Sequence, residues 1–193
     1  MHGSKDKHKK ASRLHENRYF LKLDRQLLEE QRRKDSLKAD RAEMGKIAGI
    51  TDDSILGELQ DLGYNSETVR LLPILPLVQV AWSEGYVTRR EREAILNVAR
   101  SRGLDDDSKA SRQLLRWLKH PPHDQAFMRS LKALSSIYGA RAPKAATVVL
   151  RQIVEACIKV AESSGGFLGL VGPVSEVEQQ VIDRIESVLR AGQ

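Results

Sequence analysis

Cysteine is almost missing from this chain. Cys157 is the single one, which excludes an intramolecular disulfide framework and suits a reducing compartment. It sits in the apolar stretch Ile153-Val154-Glu155-Ala156-Cys157-Ile158 and reads as a small core residue rather than a reactive thiol. Aromatic residues make up only 5%. A core must therefore be built from Leu, Ile, Val and Ala, which suits helix packing better than a sandwich rich in Tyr and Trp. No uninterrupted apolar run is long enough to span a bilayer; the longest, Leu71 to Val80, is broken by Pro73, Pro76 and Gln79. The opening Met1-His2-Gly3-Ser4-Lys5-Asp6-Lys7-His8 lacks the apolar centre of a secretory signal. Together these absences point to a cytoplasmic protein. No Ser–His–Asp arrangement or catalytic carboxylate pair can be assembled from the sequence, so the expectation is a protein that is not an enzyme.

Within 193 residues, 40% of them hydrophobic, there is enough apolar material for one domain with an extension. Charge divides the chain. Residues 1–48 carry 14 Lys/Arg against 8 Asp/Glu, which accounts for the whole net charge of +6. Residues 49–193 are neutral in sum. From Ala11 to Met44 there is neither Gly nor Pro, and strong helix formers dominate. Phe20, Leu23 and Leu27 form a short apolar stripe at helical spacing, with Tyr19 beside it and polar residues on most other faces. The expectation is a basic helical arm over 1–48 and an all-helical domain over 49–193.

Helix signals punctuate the second part. Asp52 or Asp53 can cap a helix that stops at Gly63. Ser66 can cap the next, which should kink or split at Pro73 and Pro76 and end at Gly85. Thr88-Arg89-Arg90-Glu91 reads as a capping box for a helix closing at Gly103. Asp105, Asp106 and Asp107 offer caps for the following helix, and Pro121-Pro122 breaks the chain after it. Further helices are expected near Gln125 to Tyr138, Pro143 to Ser163 and Val177 to Leu189. Alternating strands are not apparent, so the expected class is all-α.

The chain also matches itself. Val80-Ala81-Trp82-Ser83-Glu84-Gly85 aligns with Val160-Ala161-Glu162-Ser163-Ser164-Gly165 at Val, Ala, Ser and Gly. Val87-Thr88-Arg89-Arg90-Glu91 then aligns with Val174-Ser175-Glu176-Val177-Glu178. Each copy reads as an apolar helix, a Gly turn, an anchoring Val and a capped helix. Two such units predict a bundle of two related helix–turn–helix repeats. In these residues the chain resembles the TerB-like, tellurite-resistance family of helical domains, whose usual pattern is Ala-Asp-Gly-x-Val/Ile-Ser/Thr-x-x-Glu. The resemblance spans about residues 50–190. It implies a compact helical domain tied to stress responses, often appended to other modules and proposed to bind metal ions through acidic residues. Carried over, the acidic positions are Glu84 and Glu91 in the first copy, and Ser164 and Glu178 in the second. The chain departs from the pattern where the usual Asp is Glu84 in one copy and Ser164 in the other.

Glu84, Glu91 and Glu178 are therefore the candidate ligands for a divalent cation. A hard cation needs about six to eight oxygens, more than one complete acidic pair supplies. Glu91 and Glu178 also have a purely structural task as the third residues of capping boxes. Glu84 discriminates between the two readings, because capping does not require it. His120-Pro121-Pro122-His123-Asp124 holds two imidazoles and a carboxylate, too few for a zinc site without a second cluster. Between the halves of the second copy lies Gly166-Phe167-Leu168-Gly169-Leu170-Val171-Gly172-Pro173. Its Phe167 and Leu168 are candidates for a partner or self-association surface.

On the arm, Tyr19, Phe20, Leu23 and Leu27 are candidates for docking into a groove of another protein. Binding to nucleic-acid phosphates ranks behind it, since eight acidic residues dilute the arm's charge. An anionic membrane surface lacks the Trp that would anchor the helix. The expectation is a non-enzymatic interaction module, with ion binding or sensing and nucleic-acid binding as alternatives.

Overall fold

The computed structural model describes residues 3–140, 143–164 and 174–191, and among these all regular structure is helical. The order is α1 Gly3–Ala48, α2 Asp53–Asp61, α3 Leu75–Ala81, α4 Arg89–Ser101, α5 Lys109–Trp117, α6 Asp124–Gly139, α7 Pro143–Ser164 and α8 Glu176–Arg190. A single 3-10 turn, Val69–Leu71, lies between α2 and α3. The all-α class expected from the sequence is the class observed. Two compact units divide the chain, Met1–Ala42 and Glu43–Gln193.

The first unit is helix α1 up to Ala42. Its exposed faces carry local pairs one turn apart, Lys34 with Glu30 at 2.8 Å and Gln31 donating to Asp35 at 3.0 Å. Such pairs support a helix that has little apolar surface to bury.

The second unit begins inside the last turns of α1. Met44 is fully buried in its core, and Gly49, at φ +66°, ends the helix. Gly45 is needed for close approach. The amide of Ile50 donates to its carbonyl at 2.9 Å, and a Cβ on Gly45 would stand 2.8 Å from the Ile50 carbonyl oxygen and 3.1 Å from a Leu56 methyl.

Caps set the other helix starts. Asp52 caps α2, accepting from the Ser54 amide at 2.8 Å. Asn65, not Ser66, organises the next segment, its Oδ1 accepting from the amides of Glu67 and Thr68 at 3.0 Å each. The two prolines split that segment as expected. The 3-10 turn ends at Leu71 before Pro73, and Pro76 falls in the first turn of α3, where its missing N–H costs nothing. Ser108, rather than the aspartates before it, caps α5 by accepting from the Ser111 amide at 3.0 Å.

Helix α7 is the centre of the body. It packs against α3, α4, α6 and α8, and α8 also packs against α3 and α6. Its inward stripe is Ala146, Leu150, Ile153, Cys157, Val160 and Ala161, all buried. Cys157 is a core residue, as its sequence context suggested, and burial pushes its thiol far above the usual range. Tyr64 is buried edge-on against Trp117 with ring centroids 6.2 Å apart, and its hydroxyl donates to Ser130 at 3.2 Å.

Gly45 yields a test of this packing. Gly→Ala in an open helix interior is worth about 1 kcal/mol of added stability. Here Gly45→Ala should instead destabilise by about 1–3 kcal/mol, since the backbone of Ile50 must move. Urea unfolding of the two proteins decides the sign, and a stabilised variant would refute the close approach.

Candidate functional site

The motif residues meet at the starts of α4 and α8. Thr88 and Ser175 are the N-caps, both with extended backbone, and each is followed three residues on by its glutamate. The Thr88 amide donates to Glu91 Oε2 at 2.7 Å, and the Glu91 amide donates back to Thr88 Oγ1 at 3.2 Å. The second box repeats this: Ser175 N to Glu178 Oε2 at 2.7 Å, and Glu178 N to Ser175 Oγ at 3.3 Å. Both capping boxes foreseen in the sequence are thus formed.

Their depth was not legible in the sequence. A capping-box glutamate is usually a surface residue, yet Glu91 is 3% and Glu178 1% exposed. Helix starts supply the compensation, because their free amides and partial positive charge favour a carboxylate. The two copies then differ. In the second, the Ser164 hydroxyl lies 3.0 Å from Glu178 Oε1 and 2.7 Å from the Ala161 carbonyl, so it can donate to the buried carboxylate. In the first, the corresponding position is Glu84, which is exposed and carries a like charge. Burial holds the Glu91 carboxyl above its ordinary 4.5, against the opposing hydrogen bonds from Thr88. The charges of Glu178 and Glu84 push in the same upward direction.

Glu91 therefore feels the charges of the other two glutamates, but the three do not form a ligand cage. Among the described residues no group of three or more His, Cys, Asp or Glu side chains is placed to hold a metal ion. Glu178 already uses both oxygens on Ser175 and Ser164. His120, His123 and Asp124 are exposed at the start of α6.

The candidate docking residues lie elsewhere. Tyr19 is 66%, Phe20 57%, Leu23 38% and Leu27 56% exposed on α1, with Leu21 and Leu28 exposed beside them. Tyr19 and Phe20 stack edge to face with centroids 6.0 Å apart. Phe167 and Leu168 lie outside the described residues. No helix among the described residues is long and apolar enough to cross a membrane. Compared with protein-family models, curated proteins and solved structures, the chain matches none.

The raised Glu91 value fixes a pH dependence. A carboxyl whose folded value lies above its unfolded one contributes stability below the unfolded value, and that stability is lost as pH rises through the folded value. Glu91→Gln keeps an oxygen for the Thr88 amide and carries no charge. Measured by urea unfolding from pH 4.5 to 7.5, its stability should improve relative to the parent as pH rises. Glu91→Ala, which removes the acceptor, should lose about 0.5–2 kcal/mol throughout. Parallel pH curves for the parent and the Gln variant would refute the assignment.

Proposed function

We propose that the protein is a non-enzymatic interaction module, in which a two-repeat helical body of TerB-like type carries a basic helical arm that docks into another protein. The observation that supports this most directly is the exposed stripe of Tyr19, Phe20, Leu23 and Leu27 on one side of α1. The spacing i, i+3, i+7 is that of an amphipathic helix laid into a hydrophobic groove. Burying Phe20, Leu23 and Leu27 is worth about 1.5–3 kcal/mol each before the costs of association. The basic residues around the stripe favour an acidic rim on the partner and would speed encounter. The TerB-like reading of the body rests on the repeated motif and on the twin capping boxes.

The test uses the full chain with Phe20→Gln, Leu23→Gln and Leu27→Gln together, since Gln preserves helix propensity. Unfolding of the body should stay within about 0.5 kcal/mol of the parent. A protein recovered from nuclease-treated extract by the parent should be lost by the triple variant. Equal recovery by both would sink the docking reading.

A second reading is ion sensing at Glu84, Glu91 and Glu178; the upward push of the Glu178 and Glu84 charges on the Glu91 carboxyl, smaller than that of burial, favours it, and a site there would need oxygens beyond these three side chains. A bound divalent cation would relieve that repulsion. Calcium or magnesium should then raise the melting temperature of the parent, and Glu84→Gln should abolish the rise while leaving metal-free stability nearly unchanged. A rise of equal size in the variant would remove Glu84 from the site.

A further inference from the structure

A pocket in the body joins apolar lining to two positive charges that have no hydrogen-bond or ion-pair partner among the described residues. It lies where the end of α1, the segment 69–73, the end of α4 and the last turns of α6 come together, and has a volume of about 320 Å³. Ile47, Leu72, Leu134 and Ile137 give it apolar walls, and Arg70 and Arg102 line it as well. Arg70 is exposed and Arg102 half-buried. Neither guanidinium makes a hydrogen bond or ion pair with a described residue.

Two of the carboxylates nearby are already engaged. Glu67, one turn before Arg70, is paired with Lys109 at 2.6 Å, and Asp106 is paired with Arg100 at 3.0 Å. The larger groove between α7 and α8, about 650 Å³, shows the contrast. There Arg151 is paired with Glu155 and Arg190 with Glu186, each on its own helix. The smaller pocket instead sets buried apolar walls beside two guanidiniums, Arg70 and Arg102, that make no hydrogen bond or ion pair with a described residue. A half-buried guanidinium beside Leu and Ile side chains loses hydration that a carboxylate would replace, through two parallel hydrogen bonds.

We infer that this pocket binds a free carboxylic acid with a medium-length apolar tail, the tail against Leu72, Leu134 and Ile137 and the carboxylate on Arg70 and Arg102. Size narrows the class. At about 320 Å³ the pocket lies at the small end of ligand-binding clefts, which suits a tail of medium length such as that of octanoate. Neither a bare anion nor a neutral alcohol satisfies both halves. The inference is independent of the proposed docking stripe, because every lining residue belongs to the second unit, Glu43–Gln193.

Calorimetric titration of the full-length protein with sodium octanoate tests it, with acetate and octan-1-ol as controls. Saturable one-to-one binding of octanoate is expected, with acetate silent and octanol weaker. Arg70→Gln with Arg102→Gln should weaken octanoate binding about tenfold or more, since a hydrogen bond to a charged group is worth more than a neutral one. Arg102 also caps the C-terminal end of α4, where a cation is favoured by the helix dipole. If its replacement lowers stability, Arg70→Gln alone, on an exposed side chain, still reads the site through a several-fold loss. No saturable binding of octanoate, octanol binding as tightly, or unchanged affinity in the Arg variants would each overturn the inference. Binding of a peptide ending in Leu, with octanoate inert, would also overturn it and would identify a chain terminus as the occupant.

Discussion

Helix α7 must bury a full stripe on several sides at once, and the rest of the body is arranged to let it. Its inward residues alternate large and small: Leu150, Ile153 and Val160 fill space, while Ala146, Cys157 and Ala161 let neighbouring helices come close. Packing at interior density makes each of these positions sensitive to volume. Cys157 is conditioned by the same demand, since a thiol there serves as a small apolar group and its proton is held by burial. The last turn of α7 then delivers Ser164 to the carboxylate of Glu178 at the start of α8. Packing of one helix thereby fixes the entry of the next.

Polar groups trapped by that packing are met by backbone rather than by opposite charge. The Trp82 indole donates to the Trp117 carbonyl at 2.8 Å, and Arg92 to the Leu118 carbonyl at 3.1 Å, which satisfies the end of α5. Buried Ser135 sits 2.9 Å from the Val188 carbonyl and 3.0 Å from that of Leu189, at the end of α8. Glu91 and Glu178 do the equivalent at helix starts. The pattern follows from helix termini, whose unpaired amides and carbonyls are the main polar debt of an all-α body. Ser83 is the exception among the described residues, its buried hydroxyl having no partner.

Local chemistry was read well from the sequence, and tertiary chemistry was not. The capping boxes of α4 and α8, the proline split and the stops at Gly63 and Gly103 depend on neighbours within a few residues, so spacing reveals them; α3 instead ends at Ala81, ahead of the stop expected at Gly85. Where several adjacent residues share the same capping chemistry, spacing does not choose. Asp105 to Asp107 and Ser108 can all cap, and only the extended backbone at Ser108, φ −68° and ψ 158°, selects it. Asn65 displaced Ser66 for the same reason, its amide oxygen reaching two backbone amides at once. The depth of Glu91, the crowding of Gly45 and the placing of Arg70 and Arg102 along one pocket depend on segments distant in sequence, and no periodicity announces them.

The arm poses the opposite problem, because its sequence is informative and its packing is not. A helix whose stripe ends after Leu27 and resumes only at Leu37 has too little apolar surface to be held by a core. Nucleating a helix is the costly step, whereas each further residue adds a hydrogen bond. The final turns of helix α1 belong to the second unit, where Met44 is buried, so nucleation is already met and the helix can propagate on propensity and one-turn pairs. A partner meeting Phe20, Leu23 and Leu27 would find them on a preformed helix. It would avoid the several kcal/mol of ordering cost that a disordered segment brings to binding. On the proposed docking role, a sequence neutral in sum over residues 49–193 and carrying its net charge of +6 over residues 1–48 keeps the residues that fold apart from those that would meet a partner.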